Sequence, residues 1–215
     1  MKEVHNIDVK ELFPIQVFNN LVNITIEDRR ILRAIKLITQ TYDTPIEARA
    51  SSLFVALETI KDIIIEEKKE ILSPIKSIVV AKELIDKMKN LVEDIDSSEF
   101  TSKESVLRYL EGINKIGNNE GLRKIFELNG IILSRADKDC VAMRNRFLHG
   151  TVPVKSNNKK EHEKDVAFIT LRTQFLVGVL LLKISGYNGF VKNPLSYLDK
   201  TRYANSLDEP LFRKI

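Results

Sequence analysis

The residues best suited to chemistry in this chain stand together in "RNRFLHG", at positions 144–150. The guanidinium of Arg144 can bind anionic oxygens through paired hydrogen bonds. The imidazole of His149 titrates near neutral pH, so it can accept or donate a proton. Asn145 and Gly150 fit either of two interpretations. The segment is a small active site, or it is a helix end that carries surface charge and is capped by glycine.

This segment ends a helix that the sequence predicts over residues 134–149. Its apolar residues form two groups on a helical wheel at about 100° per residue. One group consists of Ala136, Cys140, Met143 and Phe147, and the other of Val141 and Leu148. Arg144 lies between the two groups, where an unpaired guanidinium is costly. We therefore expect Arg144 to bind a partner or a ligand, and Asp137, two turns earlier on the same side, could supply that partner.

His149 occupies a different side of this helix from Arg144. It lies with Asn145 on the polar side, and at a helix C-terminus the helix dipole favours a protonated imidazole. The two residues therefore meet only if the last turn is distorted at Gly150, or if a second copy of the chain supplies one of them. The wide apolar arc predicts a second packing surface, which a homodimer would use.

The elements that must position these residues are predicted to be helical. The 215-residue chain is 43% hydrophobic, so it can bury one core, and we predict a single domain spanning 1–215. Its eight glycines and six prolines favour few, long elements. Capping and periodicity predict an all-α bundle of about six to seven helices with a short extended C-terminal tail. The predicted ranges are 25–42, 45–69, 74–95, 102–113, 119–128, 134–149 and 162–185. The first fifteen residues and the tail from Tyr187 are expected to be irregular or short extended segments.

The net charge and the cysteine count indicate which kind of partner this protein binds and in which cellular compartment it acts. A net charge of +4 and a pI near 9.0 favour an anionic partner such as RNA or DNA. The N-terminal residues lack the apolar stretch of a signal peptide, and a single cysteine excludes an intrachain disulfide. The apolar segment 166–184 carries Arg172, Gln174 and Lys183, which predicts a buried core helix rather than a membrane span. We expect a cytoplasmic protein with no membrane partner.

The pattern Arg144-Asn145-x-x-x-His149 resembles the R-x4-6-H signature of the HEPN superfamily. These small all-α domains occur in prokaryotic toxin and defence systems and in RNases of higher organisms. The segment "RRILRAIKLITQTYDTPIEARASSLFVALETI", residues 29–60, resembles the ApeA-like branch, in which a helix with an "ALE" tripeptide precedes the motif helix. The segment "KISGYNGFVKN", residues 183–193, is similar to the Gly-Tyr-x-Gly chain end of that branch. The likeness covers roughly residues 28–195. It does not extend to the β-rich N-terminal domain of larger relatives.

The resemblance implies a metal-independent endoribonuclease that uses no cofactor. In that chemistry the 2′-OH of RNA attacks the adjacent phosphorus and leaves a 2′,3′-cyclic phosphate, so DNA is not cut. His149 would act as acid or base, and Arg144 would stabilise charge on the phosphate oxygens. Asn145 would orient His149 or the phosphate, and Arg146 would be at most a second phosphate contact. The resemblance also implies a homodimer in which two motif helices form a composite cleft.

Two flanking features have competing interpretations. Glu58, in the "ALE" tripeptide, is a buried acid paired with Arg144 or Arg49, or a surface charge facing Lys61 three residues later. A basic cluster after the motif contacts the RNA backbone, or it is part of a solvated loop. This cluster consists of Lys155, Lys159, Lys160 and Lys164.

Other residues and functions carry weaker signals. Cys140 lies in the apolar stripe and is expected to pack rather than react. His162 has glutamate neighbours but no second ligand at helical spacing, so no metal site is predicted. The resemblance implies a bacterial toxin or antiphage defence setting, with RNA as substrate and an antitoxin or other regulatory protein as a further partner. The alternative is a non-catalytic module that binds RNA, a nucleotide or a partner protein. A DNA-binding module lacks a convincing recognition helix.

Overall fold

The computed structural model describes residues 14–150, 159–196 and 209–215, and within these ranges the chain is mostly α-helical. The helices are α1 (Ile15–Glu27), α2 (Arg29–Gln40), α3 (Ile46–Glu67), α4 (Lys69–Leu72), α5 (Ile78–Glu93), α6 (Lys103–Glu111), α7 (Asn118–Leu128), α8 (Arg135–Ala142), α9 (Arg144–Leu148) and α10 (Lys159–Ile184). A short 3-10 turn, Ser97–Glu99, lies between α5 and α6, and two strands, β1 (Phe190–Lys192) and β2 (Phe212–Lys214), follow α10. The prediction of an all-α fold is confirmed.

Helix α3 lies at the centre of the core, where it packs against α2, α7, α9 and α10. The sequence pattern predicts one buried face for this helix, and every residue of that face is buried. The face consists of Ala50, Leu53, Phe54, Leu57, Ile60 and Ile64. Helix α10 contributes the buried residues Leu176, Val177 and Leu180 to the same core. Each buried aliphatic side chain contributes about 1.5–3 kcal/mol, so the contact between α3 and α10 supplies much of the hydrophobic stabilisation.

The range predicted as one helix over 25–42 divides at Asp28. The backbone of Asp28 is extended and ends α1, while its carboxylate accepts the Arg30 N–H at 2.8 Å and caps α2. Residues 15–24, which the sequence analysis leaves outside any helix, belong to α1. The predicted irregular N-terminal segment lies almost wholly outside the described residues.

The motif helix predicted over 134–149 also consists of two pieces, and the break lies at Met143. The Met143 N–H donates to the carbonyl three residues earlier at 3.0 Å, and the Arg146 N–H donates to the Met143 carbonyl, also at 3.0 Å. The Met143 carbonyl also accepts the Phe147 N–H at 3.4 Å, so a tighter turn is inserted while the backbone of Met143 keeps helical angles. Helix α9 is held against α3, where the Ser51 hydroxyl donates to the Phe147 carbonyl at 3.2 Å.

Helices α5 and α6 pack chiefly against each other and form an arm, which we define as residues 75–114. Two hydrogen bonds close the arm at its base. The Ile75 N–H donates to Asn114 Oδ1 at 2.7 Å, and Asn114 Nδ2 donates to the Ile75 carbonyl at 3.2 Å. Further along the arm, Lys89 of α5 pairs with Glu111 of α6 at 2.7 Å. The arm is therefore an excursion from the core whose two ends meet.

The described chain after α10 contains two short strands, and residues 194–196 between them form a single helical turn. Strands β1 and β2 pair antiparallel, with Val191 opposite Arg213. This agrees with the predicted short extended tail. Gly186, which follows α10, has a φ of +90° and permits the sharp turn that begins this segment.

Among the described residues, one helical segment, His162–Ile184, is long and apolar enough to span a membrane, with a mean hydropathy of 1.7. Length and composition do not distinguish such a segment from a core helix. Here 56% of the apolar window is buried inside the protein, and Arg172 within it is only 1% exposed. Helix α10 is thus a core helix of this fold, as its sequence predicts.

Candidate active site

Arg144 is the buried member of the motif. Only 9% of the residue is exposed, its Nε contacts Oε1 of Glu58, and its Nη1 donates to Oδ1 of Asn145 at 2.6 Å. The expectation that this guanidinium needs a partner is confirmed. Asp137 does not supply the partner, because its carboxylate pairs with Arg172 and Arg213 instead.

Asp137 belongs to a separate buried network. Its Oδ1 accepts a hydrogen bond from Arg172 at 2.7 Å, and its Oδ2 lies 2.8 Å from Arg213 and accepts the Ser134 N–H in a capping box. Glu209 brings a second carboxylate to 2.6 Å from Arg172. Burial alone would lower the pKa of Arg172, but the hydrogen bonds to both carboxylates outweigh it and hold that pKa above its usual value. This network joins α8, α10 and the C-terminal residues.

Glu58 pairs both with Arg144 and with Lys61, which the sequence offered as alternative partners. One carboxylate oxygen contacts Arg144, and the other accepts a hydrogen bond from Lys61 Nζ at 2.6 Å. Lys61 is only 4% exposed, and its ammonium also lies 3.1 Å from the exposed carboxylate of Asp62. Arg49, the other proposed partner, donates instead to Gln174 at 2.7 Å. One carboxylate, 15% exposed, is therefore shared by two cations.

The solvent side of α9 carries three polar residues of the motif, Asn145, Arg146 and His149, all exposed. His149 is the C-cap of α9, and its N–H donates to the Asn145 carbonyl at 3.0 Å. Gly150 follows with a φ of +69°, as the predicted capping glycine requires. The imidazole makes no hydrogen bond to another described residue, so its ring nitrogens are open to solvent or to a ligand.

Arg144 and His149 do not contact each other within one chain. The break at Met143 precedes both residues, so it does not change their relative placement, and Gly150 acts only after His149. Asn145 is the connecting residue, because its side chain accepts from Arg144 while its carbonyl accepts from the His149 N–H. Of the two predicted ways to unite the pair, a distorted last turn is not what the structure shows.

The basic cluster after the motif falls largely beyond the structural description. Lys155 lies outside the described residues. Lys159 and Lys160 begin α10, but their side chains also lie outside the description. The proposed RNA contacts of these lysines therefore stay predictions. Arg146 is exposed on the same side of α9 as His149.

Cys140 and His162, the other titratable residues considered in the sequence, contact side chains that give them no catalytic arrangement. The thiol of Cys140 lies 3.3 Å from the Thr173 hydroxyl, and burial raises its pKa to about 12, so it packs rather than reacts. His162 Nε2 lies 3.8 Å from a Glu47 carboxylate oxygen. Within the described residues, no group of three or more histidine, cysteine, aspartate or glutamate side chains is arranged to hold a metal ion.

In comparisons with protein-family models, curated proteins and solved structures, nothing matches this chain.

Proposed function

We propose that this chain is a HEPN-type, metal-independent endoribonuclease that acts in the cytoplasm as part of a bacterial toxin or antiphage defence system. One observation carries the proposal. Arg144 is buried beside Glu58, yet its Nη1 reaches forward to Asn145 on the face that exposes His149. The guanidinium is thereby held next to the surface on which the imidazole of His149 is exposed.

The chemistry requires few groups because RNA carries its own nucleophile. The 2′-OH attacks the adjacent phosphorus, the bond to the 5′-oxygen breaks, and the product is a 2′,3′-cyclic phosphate. His149 removes the 2′-OH proton or protonates the leaving 5′-oxygen. Arg144 donates to the non-bridging oxygens as negative charge builds there. Its Nη2 donates to no described residue, so this nitrogen is the one assigned to phosphate.

Both roles are assigned to a composite site at a dimer interface. Arg144 and His149 of one chain do not meet, so a second copy of α9 would bring the complementary residue. Arg146 of either copy would add a phosphate contact on the exposed face. The lysines at 155, 159 and 160 are proposed to bind the RNA backbone next to this cleft.

The test is cleavage of labelled single-stranded RNA by the purified protein in EDTA. Wild type is expected to release products ending in a 2′,3′-cyclic phosphate, and to leave the same sequence in DNA intact. Arg144→Ala and His149→Ala should each lower the rate by about 10²–10³, because each removes a group that acts in the transition state. Matched controls are Arg123→Ala and His162→Ala, which remove the same side-chain types elsewhere and should retain cleavage.

A non-catalytic module is the second candidate. The contact of Glu58 with Arg144 favours it, since a nearby carboxylate reduces the attraction of this guanidinium for phosphate. Such a module would bind RNA, a nucleotide or a partner protein in an Arg144-dependent way without cutting RNA. Expression in bacteria separates the two candidates. A ribonuclease toxin arrests growth, and His149→Ala relieves the arrest. With a binding module, cells that express wild type and cells that express His149→Ala grow equally.

A further inference from the structure

Helix α5 has a wider apolar face than its neighbour α6 covers. On a helical wheel at about 100° per residue, the apolar residues from Val80 onward fill one continuous arc of roughly 140°, whereas Ile78 and Val79 in the first turn lie outside this arc. An inner row is buried or half-buried and consists of Ala81, Ile85, Met88 and Val92. An outer row consists of Val80, Leu84, Leu91 and Ile95, and these residues are 41% to 66% exposed. Ile95 follows the last turn, in which Asp94 keeps helical backbone angles. Half of the arc thus has no cover among the described residues.

The spacing of the outer row is symmetric along the helix. Val80 and Leu84 are four residues apart, Leu84 and Leu91 seven, and Leu91 and Ile95 four. Two copies of α5 that pair antiparallel about a two-fold axis therefore place Val80 opposite Ile95, and Leu84 opposite Leu91. Every apolar residue of the row then meets an apolar residue, which is the self-complementarity that a two-fold interface requires.

The charges of α5 are compatible with a second copy of itself. The helix carries three lysines and three acidic residues, so it has no net charge, and no charged residue lies in the outer row. Lys87 stands at the edge of the row near the two-fold axis, so the two copies of this lysine are neighbours, and their long aliphatic stems can cover apolar surface while both ammonium groups extend apart into water. Helices that lie on anionic membranes carry an excess of lysine and arginine on the polar face. Helix α5 has no such excess.

The exposed area suits a modest dimer. The four half-exposed side chains offer apolar surface on the order of 300 Å² per copy. Interfaces are about 60% apolar, so two copies correspond to roughly 1,000 Å² of total buried surface, the lower end for a specific contact. Two packed helices with half of their apolar arc in water also gain stability from a third and a fourth helix.

We propose that the outer row of α5 is a self-association surface, on which two copies of this chain pair their α5 helices antiparallel. The arms of the two protomers then form a four-helix contact. This surface lies on a different pair of helices from the motif helices α8 and α9, and the proposal does not rest on the proposed ribonuclease activity. A chain with both interfaces assembles beyond a dimer, into a closed tetramer or an open array.

Cysteine cross-linking tests the pairing and its register. Leu84→Cys and Leu91→Cys are purified separately, mixed and oxidised. In the antiparallel pair these positions face each other within the roughly 4.4–6.8 Å between Cα atoms that a disulfide spans. The mixture is expected to form a covalent dimer. Each variant alone should form little, because its two cysteines stand seven residues apart along the axis, about 10 Å. Wild type is the control, since its Cys140 is buried.

A mixture that forms no covalent dimer overturns the proposal, and so does Leu84→Cys alone cross-linking as readily as the mixture. Sedimentation equilibrium provides the second measurement. The Leu84→Asp, Leu91→Asp double variant should weaken self-association through this face at least tenfold. Ile132→Asp, a change at an 88% exposed isoleucine outside the arm, should leave association as in wild type. If the double variant associates as strongly as Ile132→Asp, the proposal is wrong and the exposed row binds something else, such as a partner protein.

Discussion

Two buried arginines in this protein differ in how their charge is balanced. Arg172 is 1% exposed and lies between the carboxylates of Asp137 and Glu209, which are themselves buried. With Arg213 the group contains two positive and two negative charges. Arg144 is also buried, but its one carboxylate, Glu58, is shared with Lys61, and the second carboxylate of this group, Asp62, is 59% exposed to solvent.

The difference separates a structural arginine from a candidate catalytic one. A buried ion pair in which every charge is matched holds helices together and offers nothing to a ligand. The group around Arg144 depends for its balance on the exposed carboxylate of Asp62, and Arg144 turns one nitrogen to Asn145 on an exposed face. Burial of an arginine therefore says little about function until its counter-charges and the direction of its guanidinium are known.

The largest expected effect is on stability, where replacing Arg172 should cost more free energy of unfolding than replacing Arg144. Arg172→Met leaves the Glu209 carboxylate without its cation and Asp137 with Arg213 alone, and we expect the free energy of unfolding to fall by about 3–5 kcal/mol. Arg144→Met leaves Glu58 paired with Lys61, so its cost should be about 1–2 kcal/mol. Urea denaturation of both variants measures the difference. Equal losses would remove the contrast drawn between the two sites.

A smaller effect should appear when the carboxylate beside Arg144 is neutralised. Glu58→Gln keeps the shape of the side chain but removes the charge that fixes the guanidinium. We expect kcat for RNA cleavage to fall about tenfold with KM little changed, because a misplaced arginine stabilises the transition state less well. The matched control is Glu66→Gln, which neutralises an exposed acid of α3 that pairs with Arg30. A rise in activity would show that Glu58 restrains Arg144 rather than positioning it.

The smallest effect is expected at Asn145. Asn145→Ala removes one partly exposed hydrogen bond to Arg144, which is worth about 0.5–1.5 kcal/mol. Cleavage should fall roughly two- to tenfold, while the urea midpoint stays at the wild-type value. Asn119→Ala, at an exposed asparagine of α7, serves as the control. A loss as large as that of Arg144→Ala would give Asn145 a direct role with the substrate.

The helices and the core face of α3 could be predicted because their causes are local. Apolar spacing and capping residues lie within a few positions of each other, and every residue of the predicted α3 face is buried. The break at Met143 has no comparable signal. It depends on how α9 packs across α3, through Ser51 and Phe147, which are 96 residues apart in sequence.

The candidate site shows the same division. The sequence indicates that Arg144 needs a partner and that Glu58 is one candidate, and the structure agrees. It also offers Asp137 as a partner of Arg144. A helical wheel contains no information about other elements, and Arg172 of α10 and Arg213 of β2 are the residues that pair with Asp137. The signal that was passed over is Arg172 itself. A lone arginine in the middle of an apolar core helix demands a buried acid, and Asp137 was available.

The two hydrogen bonds between Ile75 and Asn114 have a consequence for how the sequence can evolve. Because they bring together residues 39 positions apart, the 75–114 excursion begins and ends at nearly the same point of the core. Its length and surface can vary without altering the spacing of α3, α7 and α10, since loop closure depends only weakly on length. Selection can thus remodel the association surface on α5 while leaving the motif helices as they are. The proposed association surface and the motif helices thus lie in separate stretches of one chain.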